Sequence, residues 1–202
     1  MEFSEADRHA WIGGNYSLLT SSTAAAYLKR VLPRKAEKRR KRRETDRFFG
    51  EAYVSEHVSH AAGHYGSIRW LTNPEFLSAP HVSGRGQLGD RDELHHALWT
   101  HFGEAQLRVL HSKTRQIEQA TGERPSRPDL WLIDQFRNHQ FAEVKLQGDS
   151  LRPCQLAGLA AIAASLRPAT GAHVTIEVFD LHPNGLDPKK MNAFDRFLEE
   201  AG

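Results

Sequence analysis

The chain has 202 residues and a mass of 22.8 kDa, which is long enough for one core-bearing domain with an appendage. No apolar run approaches the roughly 18 to 20 residues of a membrane-spanning helix, and the first residues lack the apolar stretch of a secretory signal. The single cysteine, Cys154, excludes an internal disulfide and a multi-cysteine zinc site. We therefore expect a cytoplasmic protein without membrane contact.

A strongly basic block lies in the first quarter of the chain. Between residues 29 and 47, eleven basic residues accompany three acidic ones, a net charge of +8 within a total of +2. Such a block on a mildly acidic body is typical of a nucleic-acid contact, with a solvated helix face or a localisation signal as the alternatives. The residues predicted to bind phosphates are Lys35, Lys38, Arg39, Arg40, Lys41, Arg42 and Arg43.

Two helices are predicted for the first third of the chain. Residues 1–20 lack helical or strand periodicity and are predicted to be irregular. A helix is predicted to begin at Ser22 or Thr23, whose hydroxyl groups can cap exposed amides, and to end at Pro33. Helical periodicity then continues from residue 34 to about 60, so that the basic block would form the first half of a second helix.

A strand, a loop and a further helix are predicted for the middle of the chain. Residues 67–71 (SIRWL) are rich enough in branched and aromatic side chains to form a strand. The Gly-, Ser- and Pro-rich residues 78–90 predict a loop and the best candidate for a domain boundary. Asp90 or Asp92 can cap a helix with apolar residues near a 3.6-residue period, and helical character continues to Ala120.

Strands and apolar helices alternate in the last third of the chain. Residues 129–134 (DLWLID) and 141–146 (FAEVKL) are typical of an antiparallel hairpin with a polar turn. Residues 154–166 form a helix that is apolar on nearly every face and is predicted to be buried against a sheet. Residues 173–181 alternate as a strand, and the Asp-Pro pair at 187–188 predicts the start of a final helix.

The predicted hairpin carries the residues that point to chemistry. Side chains alternate between the faces of a strand, so Glu143 and Lys145 point the same way. If the hairpin register brings Asp129 near them, two carboxylates converge beside a lysine. These acids lie in hydrophobic strands, where an unpaired buried carboxylate is costly, so a metal or substrate site would explain them. The alternative is a surface ion pair between Glu143 and Lys145.

The oxygen ligands at this hairpin predict a hard divalent cation. The carboxylates of Asp129 and Glu143, the backbone carbonyl of Val144 and several waters suit the octahedral coordination of Mg²⁺ or Mn²⁺. Such a metal polarises a phosphoryl oxygen and lowers the pKa of a bound water, while Lys145 positions or helps to deprotonate the nucleophile. The pattern therefore predicts metal-assisted phosphodiester hydrolysis.

The segments RPDLWLID and FAEVKLQGDSLRPCQLAGL resemble the PD-(D/E)xK nuclease superfamily, and within it the virus-type replication-repair nuclease (VRR-NUC) family. The family pattern is Pro-Asp, a Glu-Val-Lys strand, a Gly-Asp-x-Leu turn and a Gln on the next helix. The matching residues are Pro128, Asp129, Glu143, Val144, Lys145, Gly148, Asp149, Leu151 and Gln155. By resemblance Asp129 and Glu143 bind the metal, Lys145 is catalytic and Gln155 supports the active site. Asp149 is predicted to be a turn or cap residue rather than a ligand.

The resemblance implies an α/β (α+β) fold with a restriction-endonuclease-like core, in which helices flank a central mixed sheet. We expect this nuclease domain to span residues 90–202, after a basic, mainly helical N-terminal extension at 1–89. The implied activity is endonuclease cleavage of duplex or branched DNA, selective for junctions or flaps, in repair, recombination or replication. The standalone members imply a homodimer and a bacterial or phage-type location at the nucleoid, or the nucleus in a eukaryotic source.

Two features before residue 120 depart from the family pattern. The first core helix of the family often supplies another acidic ligand, for which Glu93 is the first candidate here and Glu104 and Glu56 compete. The first core strand is missing between that helix and Asp129, unless residues 67–71 supply it from upstream.

Three alternatives remain open from the sequence. The same core serves sequence-specific restriction or defence nucleases. It could also be a non-catalytic nucleic-acid-binding scaffold, although two converging acids would repel phosphate without a metal. A zinc site is the third alternative, formed by one of two groups of histidines. These groups are His57, His60 and His64, and His95, His96 and His101.

Overall fold

The computed structural model describes residues 1–39, 48–58, 62–65, 70–80, 90–168 and 171–184, and at 30, 33–39, 62–65 and 90 the backbone alone. The helices are α1 (Glu5–Ile12), α2 (Ser22–Arg39), α3 (Phe49–His57), α4 (Asp90–Thr121) and α5 (Pro153–Ser165), with a 3₁₀ helix at Pro74–Leu77. The strands are β1 (Glu2–Phe3), β2 (Ala62–Tyr65), β3 (Leu130–Ile133), β4 (His139–Leu146) and β5 (Val174–Pro183).

The strands form one mixed sheet in the order β1-β5-β4-β3-β2. β3 is antiparallel to both β2 and β4, and β5 is parallel to both β4 and β1. The chain passes from β4 to the parallel strand β5 through α5, because parallel neighbours need a crossover connection. The prediction of an α+β chain with a mixed sheet and accompanying helices is confirmed.

Alternation along β3 and β4 gives each face of the sheet its own core. Leu130 and Leu132 pack in a cluster with residues of α1, α2 and α3, and Ala142 and Val144 of β4 belong to the same cluster. We call this side the N-terminal face. Trp131, Ile133 and Phe141 pack in a second cluster with residues of α4 and α5, on the side that we call the α5 face.

The predicted hairpin of β3 and β4 is confirmed, with Ile133 opposite His139 at its closed end. Asp134 holds the turn. It accepts hydrogen bonds from the backbone N–H groups of Phe136 and Asn138 and from the Asn138 side-chain amide, each at 2.8 Å. An aspartate that bonds the backbone two residues on is a typical turn residue.

The prediction that residues 1–20 are irregular holds for residues 13–20 but is wrong for residues 1–12, which form β1 and α1. β1 pairs with the end of β5, and the amino-terminal ammonium group donates to the Asp180 carbonyl at 2.9 Å. Ser4 caps α1, on which Trp11 is buried. The strand pairing joins residues about 180 positions apart, and local periodicity carries no information about such contacts.

The cap of α2 lies one residue earlier than predicted. The Ser21 hydroxyl accepts a hydrogen bond from the Ala24 backbone N–H at 3.0 Å. Ser21, rather than Ser22 or Thr23, is therefore the residue that satisfies an exposed amide at this helix start.

α2 continues past Pro33 to Arg39, so the prediction that it ends at Pro33 is wrong. An internal proline removes one helical hydrogen bond, whereas burial of Val31 in the core of the N-terminal face stabilises the helix. The basic block therefore begins in the last turns of α2 and not in the first half of the next helix. Only the backbone is described at Lys35, Lys38 and Arg39, and the residues outside the described ranges are Arg40, Lys41, Arg42 and Arg43.

The neighbour of β3 on the side away from β4 comes from upstream in the chain, but it is β2 rather than residues 67–71. β2 pairs with β3, with His64 opposite Trp131. Of the predicted strand, Trp70 and Leu71 do not belong to a strand, and residues 67–69 lie outside the described ranges. Because His64 belongs to a strand, it cannot share a helix face with His57.

Residues on both sides of the predicted boundary at 89 belong to the same sheet. The segment 1–65 supplies β1 and β2, and its helices α1, α2 and α3 cover the N-terminal face.

α4 runs as predicted, with a break at Gly103, where φ is 74°. α5 buries only one side and leaves Leu156 51% exposed. The predicted final helix after residue 187 lies outside the described ranges, and within them no helix is long and apolar enough to span a membrane.

Candidate active site at the β3–β4 hairpin and α5

Three residues of the predicted site come together on the β3–β4 hairpin. Glu143 and Lys145 are two residues apart on β4, and both point to the α5 face. Asp129 directly precedes β3, and its Oδ2 accepts a hydrogen bond from the Val144 backbone N–H at 3.0 Å. The register of the hairpin therefore brings the two acids and the lysine together.

Gln155 reaches this group from the first turn of α5. Its Oε1 accepts hydrogen bonds from Lys145 Nζ and from the Arg152 backbone N–H, both at 3.0 Å. Its Nε2 donates to Oε1 of Glu143. Because the Gln155 side chain is 5% exposed and bonded at both ends, it fixes the positions of Lys145 and Glu143 relative to the helix.

Glu143 is buried but incompletely hydrogen-bonded. Its side chain is 1% exposed. Lys145 Nζ donates to Oε1 at 3.1 Å, and Gln155 donates to the same oxygen. The other oxygen, Oε2, accepts no hydrogen bond from the described residues. When Glu143 carries its proton, its carboxyl group is hydrogen-bonded to the Asp129 carboxylate. A buried carboxylate oxygen without a partner is costly, so a proton or a cation at this atom would stabilise the site.

The pKa of Glu143 is raised from 4.5 to about 8. Burial is the main cause, and the charge of Asp129 and its side-chain hydrogen bond to Glu143 add to it, whereas the hydrogen bond and charge of Lys145 lower the pKa. Glu143 therefore holds its proton over much of the neutral range, and a cation beside it would favour the charged form. A carboxyl group with this behaviour at a cleft is a candidate functional group.

The cluster adjoins a cleft of about 350 Å³. Asp129 and Gln155 line it, together with Leu71, Thr72 and the loop of residues 124–127. The volume is within the range of pockets that bind small molecules or single groups of a larger ligand. Glu143 and Lys145 do not line the cleft themselves, but both are hydrogen-bonded to the lining residue Gln155.

The oxygen donors of the cluster fit a hard divalent cation. Asp129 and Glu143 offer carboxylate oxygens, one of which is the unpartnered Oε2. Mg²⁺ is commonly held by one or two carboxylates, with waters and substrate phosphates completing its shell. In the described part of the chain, no group of three or more His, Cys, Asp or Glu side chains could hold a metal ion. The Val144 carbonyl stays a predicted third ligand.

The candidate helical glutamates do not complete a metal cluster among the described residues; they are Glu93, Glu104 and Glu56. Glu56 instead accepts hydrogen bonds from the Ser21 backbone N–H at 2.8 Å and the Thr20 hydroxyl at 3.1 Å, at the start of α2. Burial acts to raise the pKa of Glu56, but these hydrogen bonds outweigh it and leave the pKa below its ordinary value. Glu104 forms an ion pair with Arg108 on the exposed side of α4.

The second group of histidines is dispersed along α4. His95 Nε2 lies 2.8 Å from the Ser78 carbonyl oxygen, and His96 is exposed. The His101 ring packs edge-on against His139 in the core of the α5 face. The described residues thus contain no three-histidine zinc site.

Asp149 closes the turn after β4, as predicted. Its backbone N–H donates to the Leu146 carbonyl at 2.8 Å, and its Oδ2 accepts from the Leu146 N–H at 3.3 Å. Gly148 occupies the left-handed position of this turn, with φ at 89°. The tight turn brings the start of α5 close to the end of β4.

Sequence reasoning missed the cationic side of the cleft. Arg124, Arg127 and Arg152 line it together with Asp129. The first two lie in a segment predicted only as a connecting loop, and Arg152 lies in the turn before α5. Their proximity to Asp129 and Gln155 along the chain is the only signal of their position.

Comparison of the chain with protein-family models, curated proteins and solved structures gives no match. The resemblance to the VRR-NUC family therefore stays a prediction based on the motif residues. The structure places Asp129, Glu143, Lys145 and Gln155 in contact or in close proximity.

Proposed function

We propose that this protein is a divalent-metal-dependent nuclease that hydrolyses DNA phosphodiester bonds at the cluster of Asp129, Glu143, Lys145 and Gln155. One observation carries the proposal. A buried glutamate with an unpartnered oxygen among the described residues lies beside a second carboxylate and a lysine, next to a cleft. A cation would compensate the two acids and allow a phosphate to approach them.

The contacts of each residue define its proposed role. Asp129 and Glu143 would hold Mg²⁺ or Mn²⁺, which when bound supplies polarisation of a phosphoryl oxygen and a more acidic water. Lys145, whose side chain is 11% exposed, would stabilise negative charge on the phosphate and orient the nucleophile. Gln155 holds Lys145 and Glu143 in place, and the Val144 N–H holds the Asp129 carboxylate.

DNA is the proposed polyanion because the basic block at residues 29–47 supplies a net charge of +8. Phosphate contacts position a nucleic acid without reading its sequence. Selectivity for flaps, junctions or other branched DNA would then come from the shape and deformability of the substrate. Charge-neutralising substitutions in this block should weaken DNA binding and flatten its salt dependence.

The test is cleavage of a labelled DNA panel in Mg²⁺, Mn²⁺ or EDTA. The panel contains single strands, duplex, 5′ and 3′ flaps and a four-way junction. Glu143→Gln and Lys145→Ala should each lower metal-dependent cleavage by on the order of 100-fold or more, because the first removes a proposed metal-binding carboxylate and the second removes a positive charge beside it. The matched controls Glu118→Gln and Lys113→Ala change exposed residues of α4 and should cleave as the wild type does.

The preferred substrate separates the proposed function from its rivals. Preference for flaps or junctions supports the structure-selective enzyme, whereas fixed-length fragments from a plasmid favour a sequence-specific restriction or defence nuclease. Binding of DNA without cleavage under any metal would contradict the proposal and favour a binding module. Equal cleavage by wild type and Glu143→Gln would place the activity elsewhere.

A further inference from the structure

The cleft beside the proposed active site is predominantly cationic. Three arginines and one carboxylate line it: Arg124, Arg127, Arg152 and Asp129. This composition contrasts with the chain outside the basic block, where acidic residues exceed basic ones by 22 to 16. A cationic concave surface concentrates anionic ligands.

Arg124 and Arg152 come from separate segments of the chain, and both line this cleft. Arg124 Nη2 donates to the Thr72 hydroxyl at 3.3 Å, and Arg152 directly precedes α5. Neither arginine forms an ion pair with a carboxylate of the described residues. Guanidinium groups match phosphate oxygens in charge and in the geometry of their donors.

The backbone next to Arg124 packs closely against α5. The Ser126 N–H donates to the Cys154 carbonyl at 2.8 Å. The Ser126 carbonyl oxygen lies only 1.7 Å from the position that a Cβ would occupy at Gly158, so glycine alone permits this approach. The amino-terminal end of α5, with its partial positive charge, adjoins the same cleft.

We propose that Arg124 and Arg152 form a phosphate-binding subsite in this cleft, for a nucleic-acid phosphate next to the one that reacts at Asp129. The position relative to the reacting phosphate rests on the proposed function, whereas the binding of phosphate does not. An internal phosphodiester and a terminal phosphate share the chemistry that the arginines recognise. The subsite thus holds the strand beside the cluster, and its residues are binding rather than catalytic residues.

The test is DNA binding by the full chain in EDTA, where metal-dependent cleavage is excluded. Fluorescence anisotropy compares two 3′-labelled single-stranded oligonucleotides, one with a 5′-phosphate and one with a 5′-hydroxyl. Arg124→Ala and Arg152→Ala should each weaken binding by about five- to ten-fold and lower the salt slope by about one. Arg115→Ala, which removes the same charge from an exposed position on α4, should stay within about two-fold.

The pattern of losses identifies the phosphate. Equal weakening for both oligonucleotides assigns the subsite to an internal phosphodiester, and weakening for the phosphorylated one alone assigns it to a terminal phosphate. Affinities equal to that of Arg115→Ala, or no binding by the wild type, overturn the subsite. Thermal unfolding of each variant at the wild-type temperature verifies the fold.

The same variants separate this proposal from the proposed function. Arginine-dependent binding by a protein that cleaves nothing in any metal keeps the subsite and removes the nuclease. Metal-dependent cleavage with arginine-independent binding keeps the nuclease and removes the subsite.

Discussion

The two faces of the β3–β4 hairpin carry different chemistry on the same strands. On the N-terminal face, Leu130 and Leu132 of β3 and Ala142 and Val144 of β4 are apolar and buried, and Gln140 near the closed end is the partly buried polar exception. On the α5 face, apolar side chains near the closed end of the hairpin are followed by Glu143 and Lys145 toward its open end. A single rigid hairpin therefore joins a dry core to a charged cluster, and strand alternation keeps the two apart.

This difference separates stability from the proposed chemistry. Apolar burial on the N-terminal face contributes directly to the free energy of unfolding. On the other face, burial of charged Glu143 lowers the free energy of unfolding. Hydrogen bonds and a proton or a cation offset that cost. Substitutions on the two faces should accordingly affect different measurements.

One substitution on each face, with both stability and cleavage measured for each variant, tests this separation most strongly. Leu132→Ala removes a buried side chain, 1% exposed, from the N-terminal face and should lower the free energy of unfolding by roughly 2 to 5 kcal/mol. Its cleavage rate per folded molecule should stay near that of the wild type. Glu143→Gln should lower cleavage by on the order of 100-fold or more while remaining folded. Denaturant unfolding and cleavage kinetics measure the two effects, and a Leu132→Ala rate as low as that of Glu143→Gln would contradict the separation.

The pH dependence of stability should distinguish the charged cluster from the rest of the protein. Between the ordinary pKa of 4.5 and about 8, folded Glu143 holds a proton that the unfolded chain has released. Stability must therefore fall as pH rises through this window. In EDTA, we expect the unfolding temperature of the wild type to fall relative to that of Glu143→Gln between about pH 5.5 and about pH 8.5.

Glu143→Gln is the control for this pH effect because glutamine does not titrate. Comparing the two proteins cancels contributions from His101 and His111, whose pKa values are lowered by burial and by nearby arginines. Mg²⁺ at the upper end of the range should raise the unfolding temperature of the wild type more than that of the variant. Identical pH profiles for the two proteins would refute the assignment to Glu143.

The hairpin and its cluster were predictable because their information is local. Asp129 and Gln155 lie within one continuous stretch of 27 residues. In that stretch, strand alternation, a turn glycine at 148 and a helix start at Pro153 place the side chains with little freedom. The hydrogen bonds among Glu143, Lys145 and Gln155 follow from this spacing.

The N-terminal face was not predictable by the same means. β1 is two residues long and depends on a strand near the other end of the chain, and β2 has the sequence AGHY, with little strand propensity. α2 continues through Pro33 although propensity places its end there. In each case tertiary packing decides the local structure, and a single sequence does not report it.

Two glycines allow the close packing of the two faces to be compared. At Gly158 on α5, a Cβ would collide with the Ser126 backbone carbonyl, whereas at Gly50 on α3 it would meet the Val144 side chain at 2.9 Å. Backbone yields less readily than a side chain, so Gly158→Ala should destabilise by about 1 to 3 kcal/mol or more. Gly50→Ala should cost less, because improved helix propensity offsets part of the overlap. Denaturant unfolding checks this order, and the reverse order would contradict it.

The smallest expected change in stability concerns the start of α2, where the structure shows Ser21 as the capping residue and the sequence pattern predicted Ser22 or Thr23. Ser21 accepts a hydrogen bond from the Ala24 N–H, and its own N–H donates to Glu56. Ser21→Ala should therefore lower the free energy of unfolding by about 1 kcal/mol. Ser22→Ala, at an exposed helical position, should change it by less than about 0.5 kcal/mol. Equal effects in urea unfolding would contradict this cap. Neither variant should change cleavage, because the contact belongs to the N-terminal face and lies outside the charged cluster.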